Sequence, residues 1–484
     1  MGFTSFRFVP FVLVLLGAYY GPLRRRQWLV LLAASLGFCL ESGVAGVGIL
    51  GACACVTWGT GILLEKIGKT CPGETGKRKG RLLVRGYMVV MLGLLAVCRA
   101  LHSLKNTLLP LGLSFYALQA MGYVLDVSRG RETAEKNPLR MALTLAYFPA
   151  LVQGPISRYG TLAPRVWEHH LFDKRKVTFG VQRMLWGGFK KLVIADRIAP
   201  AVAVLRGGDY GSVSLIVLST LYAIQIYGDF TGGMDIALGL SEALGIALPE
   251  NFRCPFFSRS ISEFWRRWHI SLGEWMKEYV FYPVSVSGPV RRLSRLARAK
   301  WGKFGRRLPA YLASLVTWVC TAIWHGFAPN YLVWGMMNFL VIFLSGELTP
   351  LYEKFHRRFP GTNRGWYRGF QMLRTFVIMN LIRCADLFAD VGEYFRRLGG
   401  FFSFRGVNLS ALGLDPADWI VLAVGCVVML TVGFLQDRKG SVREILQSHP
   451  VGSRLVTAAL FLGVLILGQY GVGFEPGNLI YNQF

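Results

Sequence analysis

The chain has 484 residues, of which 53% are hydrophobic and 17% charged, whereas roughly 25% of residues are charged in an average soluble domain. This composition excludes an ordinary soluble globular protein and predicts a polytopic membrane protein. The formal net charge is +27, but the lysines and arginines occur in short runs between apolar segments, where the positive-inside rule accounts for them. We therefore expect no nucleic-acid partner.

Apolar segments long enough to cross a bilayer recur along the chain. A helix needs about 20 apolar residues to do so. The predicted spans lie near 5–22, 27–41, 44–64, 84–104, 107–127, 139–153, 212–230, 308–325, 328–347, 370–388, 418–435 and 453–472. The sequence between 179 and 283 is too mixed for regular spans, so we expect broken or re-entrant helices there, surrounded by protein. The total is about 11 to 13 transmembrane or re-entrant helices.

The sequence predicts a single all-α integral-membrane domain over 1–484, because it has no internal repeat and no long hydrophilic segment. We divide it into N-terminal spans (1–105), a core with two candidate histidines (106–350) and C-terminal spans (351–484).

Basic segments predict the orientation in the membrane. The densest are Arg24–Arg26, 66–85 and 291–307, which the positive-inside rule places on the cytoplasmic side. The N-terminus would then face outside, with its first apolar segment retained as a span because no small-residue cleavage site precedes Arg24. The segment 291–307 either only anchors the topology or also docks an acidic carrier or anionic lipid headgroups.

The stretch 249–283 is too charged for a lipid-facing span. Read as one helix from Ile261 to Tyr279, it has an apolar, aromatic side that includes His269 and an opposite side that carries its charges. Charges that face hydrocarbon are destabilising, so this helix either lies at the membrane interface or enters the protein interior.

Two of the seven histidines lie in apolar, aromatic surroundings: His269 and His325. An ionisable group at membrane depth needs a partner or a function, and a neutral imidazole is a suitable general base. This pattern is typical of hydroxyl attack on an activated acyl group, although proton relay in a transporter and a hydrogen-bonded packing histidine remain alternatives. The other five histidines lie in polar or boundary segments, where a solvated role is the default: His102, His169, His170, His356 and His449.

Several other functional classes lack their motifs. The sequence has no Walker A loop, no HExxH and no GxSxG elbow. The histidine pair at 169–170 has only Glu168 and Asp173 nearby, so we expect no metal site. Asp229 and Asp235 bracket two glycines, and either pair structurally with arginine or contribute to a site.

Several motifs occur together in a specific order. They are Leu109–Gln119 with Asp126, Arg129 and Gly130, Phe148–Tyr159, Gly187–Lys191, Asp229–Gly232 with Asp235, the stretch 249–283, Trp324–Gly326 and Ile480–Phe484. With them the chain resembles the membrane-bound O-acyltransferase (MBOAT) family, in particular the bacterial branch that contains the alginate O-acetylase membrane subunit and the D-alanyl-lipoteichoic acid transfer protein. The resemblance extends from roughly residue 110 to the end.

The resemblance implies an acyltransferase built as a ring of membrane helices around a central funnel or tunnel. His325 would be the essential general base and His269 would support it. The donor would be a cytoplasmic thioester, either acetyl-CoA or an acyl-carrier protein, with no permanently bound cofactor. A separate extracytoplasmic protein would move the acyl group onto polymer. Residues expected near the histidines or along the substrate path are Asp229, Asn251, Trp265, Arg267 and Trp324.

Two details bear on the substrate. The amino-acid sequence of Glu263–Ser271 is closer to that of the acetylases. The turn Tyr282–Pro289, in contrast, departs from the turn that is usual in them. The sequence therefore predicts a multi-pass bacterial inner-membrane O-acyltransferase. The transferred group is expected to be acetyl, and the acceptor a hydroxyl of an envelope polysaccharide or of a partner protein. The stretch 249–283 is expected to line the donor entrance. Alternatives are D-alanyl transfer from a carrier protein to teichoic acid, a transporter or flippase of an acylated carrier, and a membrane scaffold.

Overall fold

A computed structural model of the chain describes residues 2–105, 109–208, 212–400 and 412–470. Within these ranges the secondary structure is helical, apart from one isolated β-bridge, so the predicted all-α class is confirmed. The motif Ile480–Phe484 lies outside the described residues.

Six described helical stretches are long and apolar enough to cross a membrane, or up to seven if a pair bent by 52° counts as one span. The six are Arg24–Thr70, Glu74–His102, Val213–Ala243, Gly288–His325, Pro416–Lys439 and Pro450–Leu467, and the bent pair is Pro329–Glu347 with Thr349–Arg358. This confirms a multi-pass membrane protein. The larger number expected from the sequence included short and broken segments, and 139–153 is indeed split into Pro138–Ala146 and Phe148–Leu151.

The chain divides into two compact units. The first contains residues 2–188 and Gly232–Pro249. Its core is rich in aromatic side chains, among them Phe8, Phe38 and Phe148, which are at most 5% exposed. Its helices are Phe8–Tyr20, Gln27–Cys39, Gly43–Thr70, Glu74–Lys105, Leu113–Ser128, Pro138–Ala146, Phe148–Leu151, Tyr159–Trp167, Lys174–Gly188 and the last part of Ser212–Ala243.

Among the described residues, the second unit contains Phe189–Thr231, 250–400 and 412–470. All the site residues predicted from the sequence belong to it. Its longer helices are Asp196–Gly207, the first part of Ser212–Ala243, Gly288–His325, Pro329–Glu347, Thr349–Arg358, Gly365–Arg383, Val391–Gly399, Pro416–Lys439 and Pro450–Leu467. Its shorter helical segments are the π-helices Phe189–Ala195 and Lys277–Phe281 and the α-helices Ile261–Arg267, Ile270–Met276, Tyr282–Ser285 and Val442–Gln447.

Two antiparallel helices of the second unit present His325 at their turn. Helix Gly288–His325 is interrupted at Gly302, where φ is 52°, and its remainder (303–325) forms with Pro329–Glu347 what we call the histidine hairpin. The opposite end of this hairpin is closed by an ion pair of 3.0 Å between Arg307 Nη1 and Glu347 Oε1. His325 is therefore held at one end of the hairpin and the basic segment at the other.

Glycines allow close helix packing within the first unit. A Cβ atom on Gly239 would lie 2.5 Å from the carbonyl oxygen of Gly180, which is shorter than a van der Waals contact allows. The helices Lys174–Gly188 and Ser212–Ala243 thus meet backbone to backbone at this point.

We expect Gly239→Ala to lower the free energy of unfolding by about 1–3 kcal/mol, because the added methyl group overpacks this contact. The measurement is the thermal midpoint in detergent. Gly86→Ala is the matched control: it also lies in a helix, but a Cβ there has open space, so alanine should stabilise by up to about 1 kcal/mol through its helix propensity. Equal effects of the two substitutions would contradict the proposed close packing.

Candidate active site

The backbone breaks at His269. Helix Ile261–Arg267 ends at Trp268, and a second helix, Ile270–Met276, starts directly after His269. The prediction of one continuous helix from Ile261 to Tyr279 was therefore wrong. His269 has φ 48° and ψ 52°, a left-handed conformation that is uncommon for residues other than glycine.

A neighbouring strand-like segment imposes this break. The amide of Arg253 donates to the carbonyl of Arg267 and the amide of Ile270 donates to the carbonyl of Asn251, both at 2.9 Å. These two bonds flank His269 and replace helical hydrogen bonds. Unusual backbone conformations persist where the surroundings determine them, and they concentrate at functional sites.

The tautomer of His269 follows from its hydrogen-bond partner. The Oδ1 atom of Asn251 accepts from both the amide and the hydroxyl of Ser271, each at 2.9 Å. His269 Nδ1 lies 3.3 Å from Asn251 Nδ2 and 3.4 Å from Asn251 Oδ1. Because Oδ1 already accepts two hydrogen bonds from Ser271, we assign Nδ2 as the donor to His269 Nδ1. His269 Nδ1 therefore accepts, and the proton of the neutral ring lies on Nε2.

Burial keeps His269 neutral. Its side chain is 3% exposed, and desolvation lowers its pKa from 6.5 to about 3. A neutral imidazole whose Nε2 carries a proton can donate a hydrogen bond to developing negative charge. It is not arranged to act as a base through that atom.

The ring of Trp324 contacts both histidine rings. Its ring centroid is 5.9 Å from that of His269 and 5.0 Å from that of His325. His269 also contacts Phe230 at 5.0 Å, and His325, which is half-buried, contacts Trp334 at 4.9 Å. The structure thus brings His269, Asn251, Trp324 and His325 into one contiguous group.

Trp265 joins this group through its indole ring. Its centroid is 5.6 Å from that of Trp334 and 5.0 Å from that of Trp318. Its Nε1 donates to Asn338 Oδ1 at 3.1 Å, which satisfies the half-buried indole N–H. Trp265 therefore forms part of the aromatic wall beside His325.

Arg267 has other partners. Its guanidinium pairs with Glu263 at 2.8 Å and with Asp437 at 2.6 Å. These ion pairs link the end of helix Ile261–Arg267 to helix Pro416–Lys439. The Arg267 guanidinium also donates to the carbonyl of Cys254 at 3.4 Å. The predicted place of Arg267 in the site rests on the resemblance alone.

Asp229 belongs to a buried ion cluster, which we define as Lys191, Asp196 and Asp229. Lys191 Nζ lies 2.7 Å from Asp196 and 2.6 Å from Asp229, and the side chains are at most 5% exposed. Burial raises the pKa of Asp196 to about 6, against the opposing effect of Lys191. Burial also disfavours the charge of Lys191, but the two carboxylates together raise its pKa.

The π-helix Phe189–Ala195 carries the lysine of this cluster. Such segments are rare and frequently occur at functional sites. Lys191 belongs to one of the sequence motifs, but the sequence analysis gave it no role. Its burial could have been predicted from the position of two lysines within the apolar run from Phe189 to Ala195. Asp229 directly precedes Phe230, so the ion cluster fixes the helix that contacts His269.

The fold is that of a multi-pass integral-membrane protein. Its neutral, buried histidine and the second histidine close to it are groups that acid–base catalysis requires. The sequence model of the MBOAT, membrane-bound O-acyltransferase, family matches residues 137–386, just over half of the chain. The chain belongs to this family.

Bacterial proteins with assigned names are similar to the chain. The probable alginate O-acetylase AlgI of Pseudomonas putida is 30% identical over 401 residues, which cover 79% of this chain and 76% of that protein. The corresponding Pseudomonas fluorescens protein is 32% identical over 336 residues, and the alignment covers 68% of this chain but only 62% of that relative. The teichoic acid D-alanyltransferase of Bacillus subtilis is 26% identical over 267 residues, 53% of this chain and 63% of that protein.

Removing the cation of the ion cluster should destabilise the protein strongly. Lys191→Met leaves two buried carboxylates without their counterion, a change that lowers the free energy of unfolding by about 3–5 kcal/mol. Thermal unfolding in detergent measures this effect. Lys174→Met, at an exposed position, is the control and should change little; equal effects would show that the cluster does not stabilise the fold.

The neutral state of His269 should make stability depend on pH. Its pKa is about 3 in the folded protein and 6.5 when solvated, so only the unfolded state gains a proton as the pH falls below 6.5. Stability is therefore complete above that value and is lost on acidification. Between about pH 7.5 and about pH 5, wild type should lose about 2 kcal/mol more than His269→Gln.

The control for this experiment is His449→Gln, since His449 is exposed and its removal should leave the pH dependence of wild type unchanged. If His269→Gln and wild type lose stability in parallel, His269 is protonated in the folded protein and the assignment of its neutral state is wrong.

Proposed function

We propose that the protein is a membrane-bound O-acyltransferase that passes an acetyl group from a cytoplasmic thioester to a hydroxyl of a cell-envelope polysaccharide or of a partner protein. The observation that carries the proposal is the contiguous group of His269, Trp324 and His325 in a chain of the MBOAT family. The named relatives support a bacterial cytoplasmic membrane as its location.

His325 is the general base in this mechanism. It accepts the proton of the acceptor hydroxyl as the oxygen attacks the thioester carbonyl carbon. A C–O bond forms and the C–S bond breaks, and the proton passes from His325 to the departing sulfur. The half-buried position of His325 gives substrates access while limiting water.

His269 has a different role from His325. Its proton lies on Nε2 and burial holds its pKa at about 3, so it is a donor rather than a base. It is suited to stabilise the negative charge that develops on the carbonyl oxygen. The Asn251 side chain fixes the tautomer and is a positioning residue.

Acetyl is favoured over D-alanyl as the transferred group. The relatives named alginate O-acetylase are 30–34% identical to the chain, whereas the named D-alanyltransferases are 26–27% identical. The donor is acetyl-CoA or an acetylated carrier protein, and no other cofactor is needed. A separate extracytoplasmic protein completes transfer to polymer.

His325→Ala should lower acyl transfer by about 10²–10⁴-fold, since this is the usual contribution of a general base. Purified protein is incubated with acetyl-CoA labelled in the acetyl group, and the free thiol and the labelled ester are measured. The matched control is His449→Ala, at an exposed position, which should retain the wild-type rate. D-alanyl carrier protein is tested in parallel as donor.

Several outcomes would contradict the proposal. Normal acylation by His325→Ala at normal abundance would exclude the catalytic role and leave a transporter or scaffold. Transfer from D-alanyl carrier protein but not from acetyl-CoA would identify the other donor. Failure of wild type to consume either thioester would exclude the enzyme.

A further inference from the structure

Helix Thr349–Arg358 follows the second helix of the histidine hairpin but does not continue it in the same direction. Leu348 separates the two helices, and they are bent by 52° relative to each other. Helix Thr349–Arg358 has 10 residues and is therefore about 15 Å long, half the thickness of the hydrocarbon core. It does not cross the membrane by itself.

The helix lies at the end of the histidine hairpin that is remote from His325. It begins two residues after Glu347, whose carboxylate forms the ion pair with Arg307. At its other end, the ring of His356 packs edge-on against that of Tyr367, with the two centroids 5.4 Å apart. This contact ties the helix to the start of helix Gly365–Arg383. Helix Thr349–Arg358 thus connects two long helices at one end of the hairpin.

One side of helix Thr349–Arg358 is apolar and exposed. Phe355 lies three residues after Tyr352 and four residues after Leu351, so the three side chains share one side of the helix. Phe359 follows directly after the last helical residue. Each of these four side chains is at least 39% exposed. An exposed apolar side of this kind is typical of a helix that lies in a membrane interface.

The apolar side continues, along the chain, the exposed apolar surface of the two long helices. Leu344, Leu348 and Leu351 follow one another at intervals of four and three residues, and Trp366 and Phe370 occur at the start of helix Gly365–Arg383. All five are exposed. Exposed apolar side chains on the helices of a multi-pass membrane protein face lipid, and tryptophan is enriched at the level of the headgroups. We therefore place the apolar side of helix Thr349–Arg358 against the same lipid.

Basic side chains occupy a second side of this helix and the turn that follows it. Arg357 and Arg358 lie three and four residues after Lys354, so the three share one side. The segment 349–368 contains five lysines and arginines but only one acidic residue, Glu353. All five basic side chains are exposed, and we call them the basic patch: Lys354, Arg357, Arg358, Arg364 and Arg368.

The charge of this segment indicates its side of the membrane. The segment 291–307 is also basic and meets the end of helix Pro329–Glu347 through the ion pair of Arg307 with Glu347, so the two basic segments lie at one end of the histidine hairpin. The positive-inside rule places this end in the cytoplasm. Anionic lipids give the cytoplasmic leaflet a negative surface potential that attracts such segments.

An anionic lipid surface fits both sides of the helix at once. An amphipathic helix in the interface buries its apolar side at the boundary between headgroups and acyl chains. Lysine and arginine side chains are long enough to reach the phosphates from the same position. A soluble acidic protein, in contrast, would reach the basic patch but not an apolar side that lies in lipid. The two exposed sides together therefore favour lipid over an acidic protein.

We propose that helix Thr349–Arg358 lies flat in the cytoplasmic interface and that the basic patch binds the phosphate groups of anionic phospholipids. The helix thus anchors the cytoplasmic end of the histidine hairpin to the lipid surface. This contact with lipid is independent of the acyltransferase function proposed above.

Amide hydrogen–deuterium exchange of the whole chain tests the contact. The protein is placed, one molecule per disc, in nanodiscs of phosphatidylcholine or of an equimolar mixture of phosphatidylcholine and phosphatidylglycerol. We expect the amides of residues 349–358 to exchange at least about fivefold more slowly in the anionic discs, because one lysine or arginine near an anionic surface contributes a factor of about five. The difference should shrink at high ionic strength, since salt screens exposed charges.

Two variants test the role of charge. The triple variant Lys354→Gln, Arg357→Gln, Arg358→Gln removes three exposed charges, so it should keep the wild-type thermal midpoint in detergent and lose most of the difference between the two lipids. The double variant Arg357→Lys, Arg358→Lys is the matched control. It keeps the charges and should keep the difference, because a lysine binds phosphate as a point charge.

A third variant tests the orientation of the helix. Phe355→Gln places a polar group on the apolar side, so residues 349–358 should exchange faster than in wild type in both lipids. Unchanged exchange in this variant would contradict a helix that lies flat in the interface.

Other outcomes would also overturn the assignment. These are equal exchange of wild type in the two lipids, a difference that persists undiminished in the triple variant, and a difference that is lost in the lysine control. Rapid exchange in both lipids that slows only when an acidic protein is added would assign the surface to a protein partner. None of these measurements depends on acyl transfer, so a failure of the proposed function would be recognised separately.

Discussion

The buried side chain of Asn251 holds the local structure around His269. Its carbonyl accepts from Ile270 and its Oδ1 accepts from Ser271, which fixes the start of helix Ile270–Met276. Its Nδ2 faces His269, which fixes the ring and its tautomer. Asn251, which is fully buried, thus helps to hold the left-handed backbone at His269 and also determines which ring nitrogen of His269 carries the proton. Each hydrogen bond contributes only about 1 kcal/mol to stability, so its main effect is on geometry.

Buried charges around this junction are compensated in two ways. In the ion cluster, Lys191 is paired directly with Asp196 and Asp229, so the charges stabilise one another and hold the backbone. The charge of Arg383 is compensated by the face of the Trp268 ring and by the nearby carboxylate of Asp386.

Features that depend on local composition could be predicted from the sequence. The helices around 308–325 and 328–347 were predicted because these apolar segments are long enough to cross a bilayer. His269 and His325 were predicted as site residues because an ionisable group in apolar surroundings needs a partner or a function. Broken helices were expected within 179–283, but the position of the break at His269 could not be predicted. It depends on hydrogen bonds to residues 251–253, which the helical pattern does not reveal. Lys191 and its carboxylates, and the pairing of Arg267 with Asp437, likewise depend on contacts between residues distant in sequence.

The central claim is that acyl transfer occurs at His325, beside the neutral His269. The most direct measurement is a high-resolution structure of the purified protein with a thioether analogue of acetyl-CoA, in which sulfur cannot leave. We predict density for the acetyl end of the analogue between the two imidazole rings, with its carbonyl oxygen within hydrogen-bond distance of His269 Nε2. An analogue bound with its acetyl end remote from both rings would contradict the account.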